Sequence, residues 1–146
     1  MIALIQRVRE ARVDVAGAAV GAIGPGLLAL IGVLKADTPR DVERLLERLL
    51  GYRIFPDPEG RMNLSLTDTG GGLLLVSQFT LAADTRIGMR AGFQTAAEPE
   101  RAESLFNALV AAARSQHPGT VASGQFGAHM LVSLTNDGPV TFWLES

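Results

Sequence analysis

The run Leu73-Leu74-Leu75-Val76, followed at once by Ser77-Gln78-Phe79-Thr80-Leu81, constrains this chain more than any other stretch. Four apolar side chains in succession suit a buried strand. The polar-capable side chains at its end then need partners, because an unpaired buried polar group costs about 1–3 kcal/mol. Strand ends are also where rigid scaffolds present chemistry. A second apolar run, residues 27–33, follows the turn Gly24-Pro25-Gly26 and reads as another buried strand.

The remaining segments arrange themselves around these two. Residues 2–8 read as a strand, and residues 11–15 alternate Arg12 and Asp14 against Val13 and Val15. Gly17 breaks that pattern, and residues 18–23 return as a strand. A helix starts after Thr38, with Pro39 at its first position, and stops at Gly51. Val42, Leu45, Leu46, Leu49 and Leu50 give it one apolar face. Residues 52–55 suit a short strand, and Pro56-Asp57-Pro58-Glu59-Gly60 a turn. Residues 82–97 have no clean period and read as a long loop, a kind of segment that is often functional. Residues 98–115 form a second helix with Ala102, Leu105, Phe106, Leu109, Val110 and Ala113 on one face. Two last strands, 125–135 and 140–144, are joined by Asn136-Asp137-Gly138-Pro139. Strands that mostly pair as hairpins, interrupted by two main helices, predict an α/β fold. Its largely antiparallel sheets pack as a sandwich or barrel-like core, in a single domain over residues 1–146.

Composition narrows the function classes. With 47% hydrophobic and 19% charged residues, the chain is globular rather than disordered. It has no cysteine, which removes disulfides, thiolate metal sites and a cysteine nucleophile. No apolar stretch is long enough to span a bilayer. Met1-Ile2-Ala3-Leu4-Ile5 is too short for a signal-peptide core. A cytoplasmic location without membrane contact is the expectation. The net charge of −2 argues against a broad nucleic-acid face. It leaves room for local basic patches at Arg7, Arg9 and Arg12, or at Arg86 and Arg90.

Most standard catalytic devices are missing. Of the two histidines, His117 beside Pro118 reads as a charge at a helix C-terminus. His129 falls in a strand on the face opposite Met130, Val132 and Leu134, as a surface or interface residue. Neither lies near a serine or threonine with an acidic orienter in sequence. No histidine–carboxylate cluster has zinc spacing, and Gly70-Gly71-Gly72 precedes a strand rather than a helix. No metal and no cofactor are expected.

Two segments remain. If the strand runs on past Ser77, Gln78 and Thr80 share one face and Ser77 and Phe79 the other. Thr80 can serve as nucleophile or as donor, yet a hydroxyl without a base is a poor nucleophile. Backbone N–H groups at a frayed strand end can stabilise an oxyanion instead. Equally, the hydroxyls can simply cap local backbone. The other segment is Asn136-Asp137-Gly138-Pro139-Val140-Thr141. Its composition is that of a plain turn, and a cis Gly138–Pro139 bond is the sharper alternative.

Ser77-Gln78-Phe79-Thr80-Leu81-Ala82-Ala83-Asp84 and Asn136-Asp137-Gly138-Pro139-Val140-Thr141-Phe142 together resemble the two signature motifs of D-aminoacyl-tRNA deacylases. The likeness runs through Ile5-Gln6-Arg7-Val8, Gly26-Leu27-Leu28, Ile31-Gly32-Val33, Tyr52-Arg53-Ile54-Phe55 and Met62-Asn63, so it covers the chain. The resemblance implies a homodimeric enzyme that cleaves the ester between a D-amino acid and the 3′ end of tRNA. It also implies action on glycyl-tRNA, because the pocket selects by excluding an L side chain. Ser77, Gln78, Phe79 and Thr80 are then the catalytic segment. It faces the substrate-binding Gly138-Pro139 of the other subunit, whose peptide bond is cis. Arg7 helps hold that loop, and Met130 joins the substrate-binding positions. The tRNA 2′-hydroxyl would assist, with oxyanion donors from the N–H of Phe79 or Thr80 and the hydroxyl of Thr80. Two positions depart from many relatives: Ala91-Gly92 between Arg90 and Phe93, and His129 where an acid is common. Two alternatives stand beside this expectation. One is a relative devoted to glycine on alanine tRNA; the other is a non-catalytic module that binds a small ligand or an RNA end.

Overall fold

A computed structural model describes residues 1–146. Its organising element is β1 (Ile2–Val15), a 14-residue strand. Alternation lapses around Arg9 and Glu10, but two pairing irregularities absorb the lapse, so the two expected strands are one. After the tight turn at Ala16 and Gly17, both with positive φ, β2 (Ala18–Ile23) pairs antiparallel with the C-terminal part of β1. β3 (Gly26–Gly32) then pairs antiparallel with its N-terminal part.

α1 (Pro39–Gly51) follows. Both the backbone N–H and the hydroxyl of Thr38 donate to Asp41 Oδ2, at 2.9 and 2.8 Å, which fixes the helix start. A small hairpin of β4 (Phe55–Pro56) and β5 (Met62–Leu64) precedes the single-turn helix α2 (Leu66–Thr69). Ser65 and Asp68 cap α2 reciprocally, which ends the strand at Leu64. β6 (Gly72–Ser77) lies parallel to β3. After the long loop come α3 (Pro99–Gln116), β7 (Val121–Ser123) and β8 (Leu131–Glu145).

The sheet runs β2–β1–β3–β6–β7, with β8 antiparallel on the other edge of β1. The sheet is therefore mostly antiparallel, as expected, with two parallel pairings where helical connections intervene. It curls until β2 meets β7: a Cβ on Gly21 would stand 2.7 Å from the Ser123 carbonyl oxygen. The result is a nearly closed barrel with helices on one side.

Strand alternation divides the core. Leu27, Ala29, Ile31, Leu73 and Leu75 pack against α1 and α3 in the larger of two apolar clusters. Leu28, Leu74 and Val76 point the other way, into the barrel, with Val8, Ala11, Val13 and Ile23. Both Leu-rich runs are buried on both faces because each face has its own core. No helix is long and apolar enough to cross a membrane.

Several expectations need correction. The last two strands form one, β8, which carries residues 136–139 within it. His129 lies in the loop before β8, not in a strand, and β7 was not anticipated. His117 caps α3 but is 4% exposed, and its Nε2–H donates to the Gly71 carbonyl at 2.7 Å. It is a buried tie between α3 and the turn before β6, rather than a solvated helix-end charge.

Candidate active site

β6 ends at Ser77, and the chain turns at once into a 3-10 turn over Phe79–Ala82. The face-sharing expected of a continued strand therefore does not arise. Gln78 N–H donates to the Ile31 carbonyl at 2.7 Å, the last bond linking this segment to β3. Leu81 N–H donates back to Gln78 O at 3.2 Å. The turn sits on Gly32, where a Cβ would stand 2.9 Å from Leu81 Cβ. Glycine there permits the close approach that swings Phe79 and Thr80 outward. Within such a turn the first N–H groups have no acceptor of their own. The side chains are exposed: Phe79 is 63% accessible, and Thr80 Oγ1 accepts from Gln78 Nε2.

A groove of about 500 Å³ opens beside this turn. Ser77, Gln78, Phe79 and Met130 line it, with Ala96, Ala97 and Pro99 from the loop and the start of α3, and Phe126 and His129 from the loop before β8. Its walls are mainly apolar, and His129 is the one titratable side chain among them. Thr80 is not in the lining. Apolar wall residues such as Ala96, Ala97 and Phe126 carry no chemical signal in sequence, and only their meeting in space identifies them. No group of three His, Cys, Asp or Glu side chains is placed to hold a metal ion.

The second segment stands apart, and neither Gly138 nor Pro139 nor Arg7 lines the groove. The Gly138–Pro139 peptide is cis, and both residues are exposed. Beneath them the Arg7 side chain is largely buried; its Nε donates to the Asp137 carbonyl at 2.8 Å and Nη1 to the Ile54 carbonyl at 2.6 Å. Asn136 closes the other side: Val140 N–H donates to Asn136 Oδ1 at 2.7 Å, and Asn136 Nδ2 donates to Val140 O and Thr141 Oγ1. Gly138 has φ +146°, and a Cβ there would stand 2.7 Å from Val140 Cγ2 and 3.2 Å from Arg7 Nη2. In the sequence Asn136 stands out as a turn residue and as the head of the second motif; its hold on Val140 and Thr141 shows only in the fold, where β8 pairs irregularly with β1.

The sequence profile described as D-Tyr-tRNA(Tyr) deacylase matches residues 4–145. The chain belongs to the D-Tyr-tRNA(Tyr) deacylase family. A D-aminoacyl-tRNA deacylase of Thioalkalivibrio sulfidiphilus is 69% identical over 145 residues, covering 99% of this chain and 97% of that one. The deacylase of Azotobacter vinelandii is 64% identical over 146 residues, the full length of both. Among solved structures, the c-Myc DNA unwinding element binding protein superposes with a TM-score of 0.95 at 37% identity, covering 100% of this chain and 99% of its own. A structure described as a probable eukaryotic D-amino acid tRNA deacylase has a TM-score of 0.84 at 19% identity, covering 99% of this chain and 98% of its own, and so shares the fold. With this membership the chain is an enzyme of the deacylase class, a hydrolase.

Proposed function

We propose that this deacylase hydrolyses the ester joining a D-amino acid to the 3′-terminal adenosine of tRNA. The observation that carries the reading is the backbone turn at Phe79 and Thr80, presented at the end of an apolar groove. Such a site suits positioning and oxyanion stabilisation. Water adds to the ester carbonyl, and the charge on its oxygen is met by the N–H groups of Phe79 or Thr80 and by the Thr80 hydroxyl. The acyl C–O bond then breaks, the adenosine oxygen takes a proton, and free tRNA and amino acid leave. The neighbouring 2′-hydroxyl of the substrate assists, which accounts for a site whose lining has no serine–histidine–carboxylate set.

The functional unit is a homodimer in which Gly138 and Pro139 of one subunit enter the groove of its partner. Two features support this. The loop is rigid and exposed yet lies outside its own groove. The outer edge of β8 pairs with no strand of its own chain and bears exposed Leu131, Phe142 and Trp143. A wall close to the substrate Cα would reject L side chains and admit D ones. Glycine, having no side chain to exclude, enters as well, so glycyl-tRNA charged on alanine tRNA is a second substrate. The site of action is the cytoplasm, where aminoacyl-tRNA is made.

The deciding measurement is paired hydrolysis of D-tyrosyl-tRNA and L-tyrosyl-tRNA. Turnover of the D ester alone is expected. Binding of both without turnover would leave a non-catalytic module and sink the esterase reading.

A further inference from the structure

The long loop after the 3-10 turn carries a second feature that the groove does not use. Asp84 and Gly92 exchange backbone hydrogen bonds at 2.7 and 2.9 Å, so the loop has a closed neck. Within it Arg86 folds back on Asp84, with Nε and Nη2 at 2.9 and 2.7 Å from its oxygens. That contact holds the Asp84 carboxyl well below the ordinary carboxylate range. Arg90 makes no ion pair and donates no hydrogen bond. Between the two arginines the tip turns on Gly88, at φ +71°, and presents Ile87 and Met89 almost entirely to solvent. One carboxylate against two guanidinium groups leaves this loop at +1, on a chain whose net charge is −2.

The tip is coupled to the groove. The Phe93 ring packs on Phe79 with centroids 5.1 Å apart, and Thr95 Oγ1 donates to the Ala82 carbonyl at 2.6 Å. Ala96 and Ala97, just beyond, are groove wall. The loop thus returns to the groove through Phe93, whose ring lies on the groove residue Phe79, and a ligand that leaves the groove past Phe79 runs toward this loop. An uncommitted guanidinium beside exposed apolar side chains, on a loop joined through Phe93 to the groove residue Phe79, fits a sugar–phosphate chain with its bases.

We infer that residues 86–90 form the docking element for the single-stranded RNA end that carries the ester, with Arg90 contacting a backbone phosphate. This rests on the esterase reading, and it adds where the polynucleotide runs. Arg86 is oriented by Asp84 and sets the electrostatic direction of the tip, while Ile87 and Met89 cover the adjoining sugar or base.

The test compares two substrates, D-tyrosyl-tRNA and 3′-O-D-tyrosyl adenosine, which has no phosphate. For the full-length tRNA, Arg90→Gln should raise KM about three- to tenfold with kcat held, and should flatten the slope of log KM against log salt by about 0.7–0.9. With the adenosine ester the KM defect should vanish. Ile87→Ser/Met89→Ser should raise KM for the tRNA with its salt slope retained. An equal KM defect on both substrates would place Arg90 in the groove and overturn the inference. So would an unchanged KM and slope for tRNA, or a shift in oligomeric mass that makes the tip a protein–protein contact. The salt slope can also be read from binding of uncharged tRNA. A wild-type protein that hydrolyses neither substrate would therefore remove the esterase reading, and the Arg90 comparison would still decide the loop.

Discussion

The two motif segments are held in opposite ways. The turn after Ser77 is positioned by backbone: Gln78 N–H on Ile31 O, and a glycine contact beneath Leu81. Its Phe79 and Thr80 side chains are exposed and take no part in fixing it to the sheet. The Asn136–Val140 segment is positioned by side chains, Arg7 from below and Asn136 from within. A segment fixed by main chain tolerates change in its side chains but not in what its backbone rests on. A segment fixed by side chains fails when a single one of them is truncated.

The largest test of that contrast is Arg7→Ala. It removes two hydrogen bonds to carbonyls and leaves Asp137 O and Ile54 O without their donor. The resulting shift of the loop should cost about 100-fold or more in kcat/KM for D-tyrosyl-tRNA, the scale set by misplacing a positioning group by about 1 Å. Activity within a few-fold of wild type would break the comparison. Next in size is a pair of variants on the other segment. Gly32→Ala forces its Cβ against Leu81 and should lower kcat/KM about tenfold, whereas Thr80→Val should cost only about two- to threefold, far below the typical 10²–10³ of a single indispensable oxyanion donor. A Thr80→Val loss as large as that of Arg7→Ala would move the chemistry from backbone to hydroxyl.

The smallest effect serves as a control outside both segments. Asp41 is held at about 2, below its ordinary 3.8, chiefly by the Thr38 hydroxyl and then by Ser146. A carboxyl depressed in the folded state stabilises the fold above its unfolded value, and that stability is lost as pH falls through the folded one. The cap of α1 should therefore weaken between about pH 4 and pH 2. In Asp41→Asn, urea midpoints should lose part of their fall across that window while kcat/KM at neutral pH stays put. An unaltered acid profile would assign the loss to other carboxylates.

Local signals in the sequence marked the two long helices almost to the residue, but not the single turn α2. Thr38, Pro39 and Gly51 mark α1, and the apolar spacing from Ala102 to Ala113 marks α3. Strand identity was legible for β3 and β6 because unbroken apolar runs need two buried faces. Their parallel pairing was not, since a run such as Leu73-Leu74-Leu75-Val76 has no period that distinguishes one orientation from another. β7 is three residues between Gly119 and Gly124, too short to show alternation. The burial of His117 depends on Gly71, 46 positions away, and nothing beside His117 announces it. At the site, the polar residues of both motifs stood out. The groove beside the first needed Ala96, Pro99, Phe126 and Met130 to be brought together by the fold.

The position of β1 has a consequence for how the chain is made. Its first strand is bonded along one edge to β2 and β3 and along the other to β8, the last strand. During synthesis β1 can pair early with β2 and β3, but its other edge stays bare until β8 has left the ribosome. Sheet completion is thus a late, long-range event, of the kind that folds slowly and leaves an aggregation-prone edge waiting. Asn136, Gly138 and Pro139 lie on that final strand. The Gly138–Pro139 loop takes shape only once this strand has emerged, so a product truncated before it would carry the groove's turn without that loop.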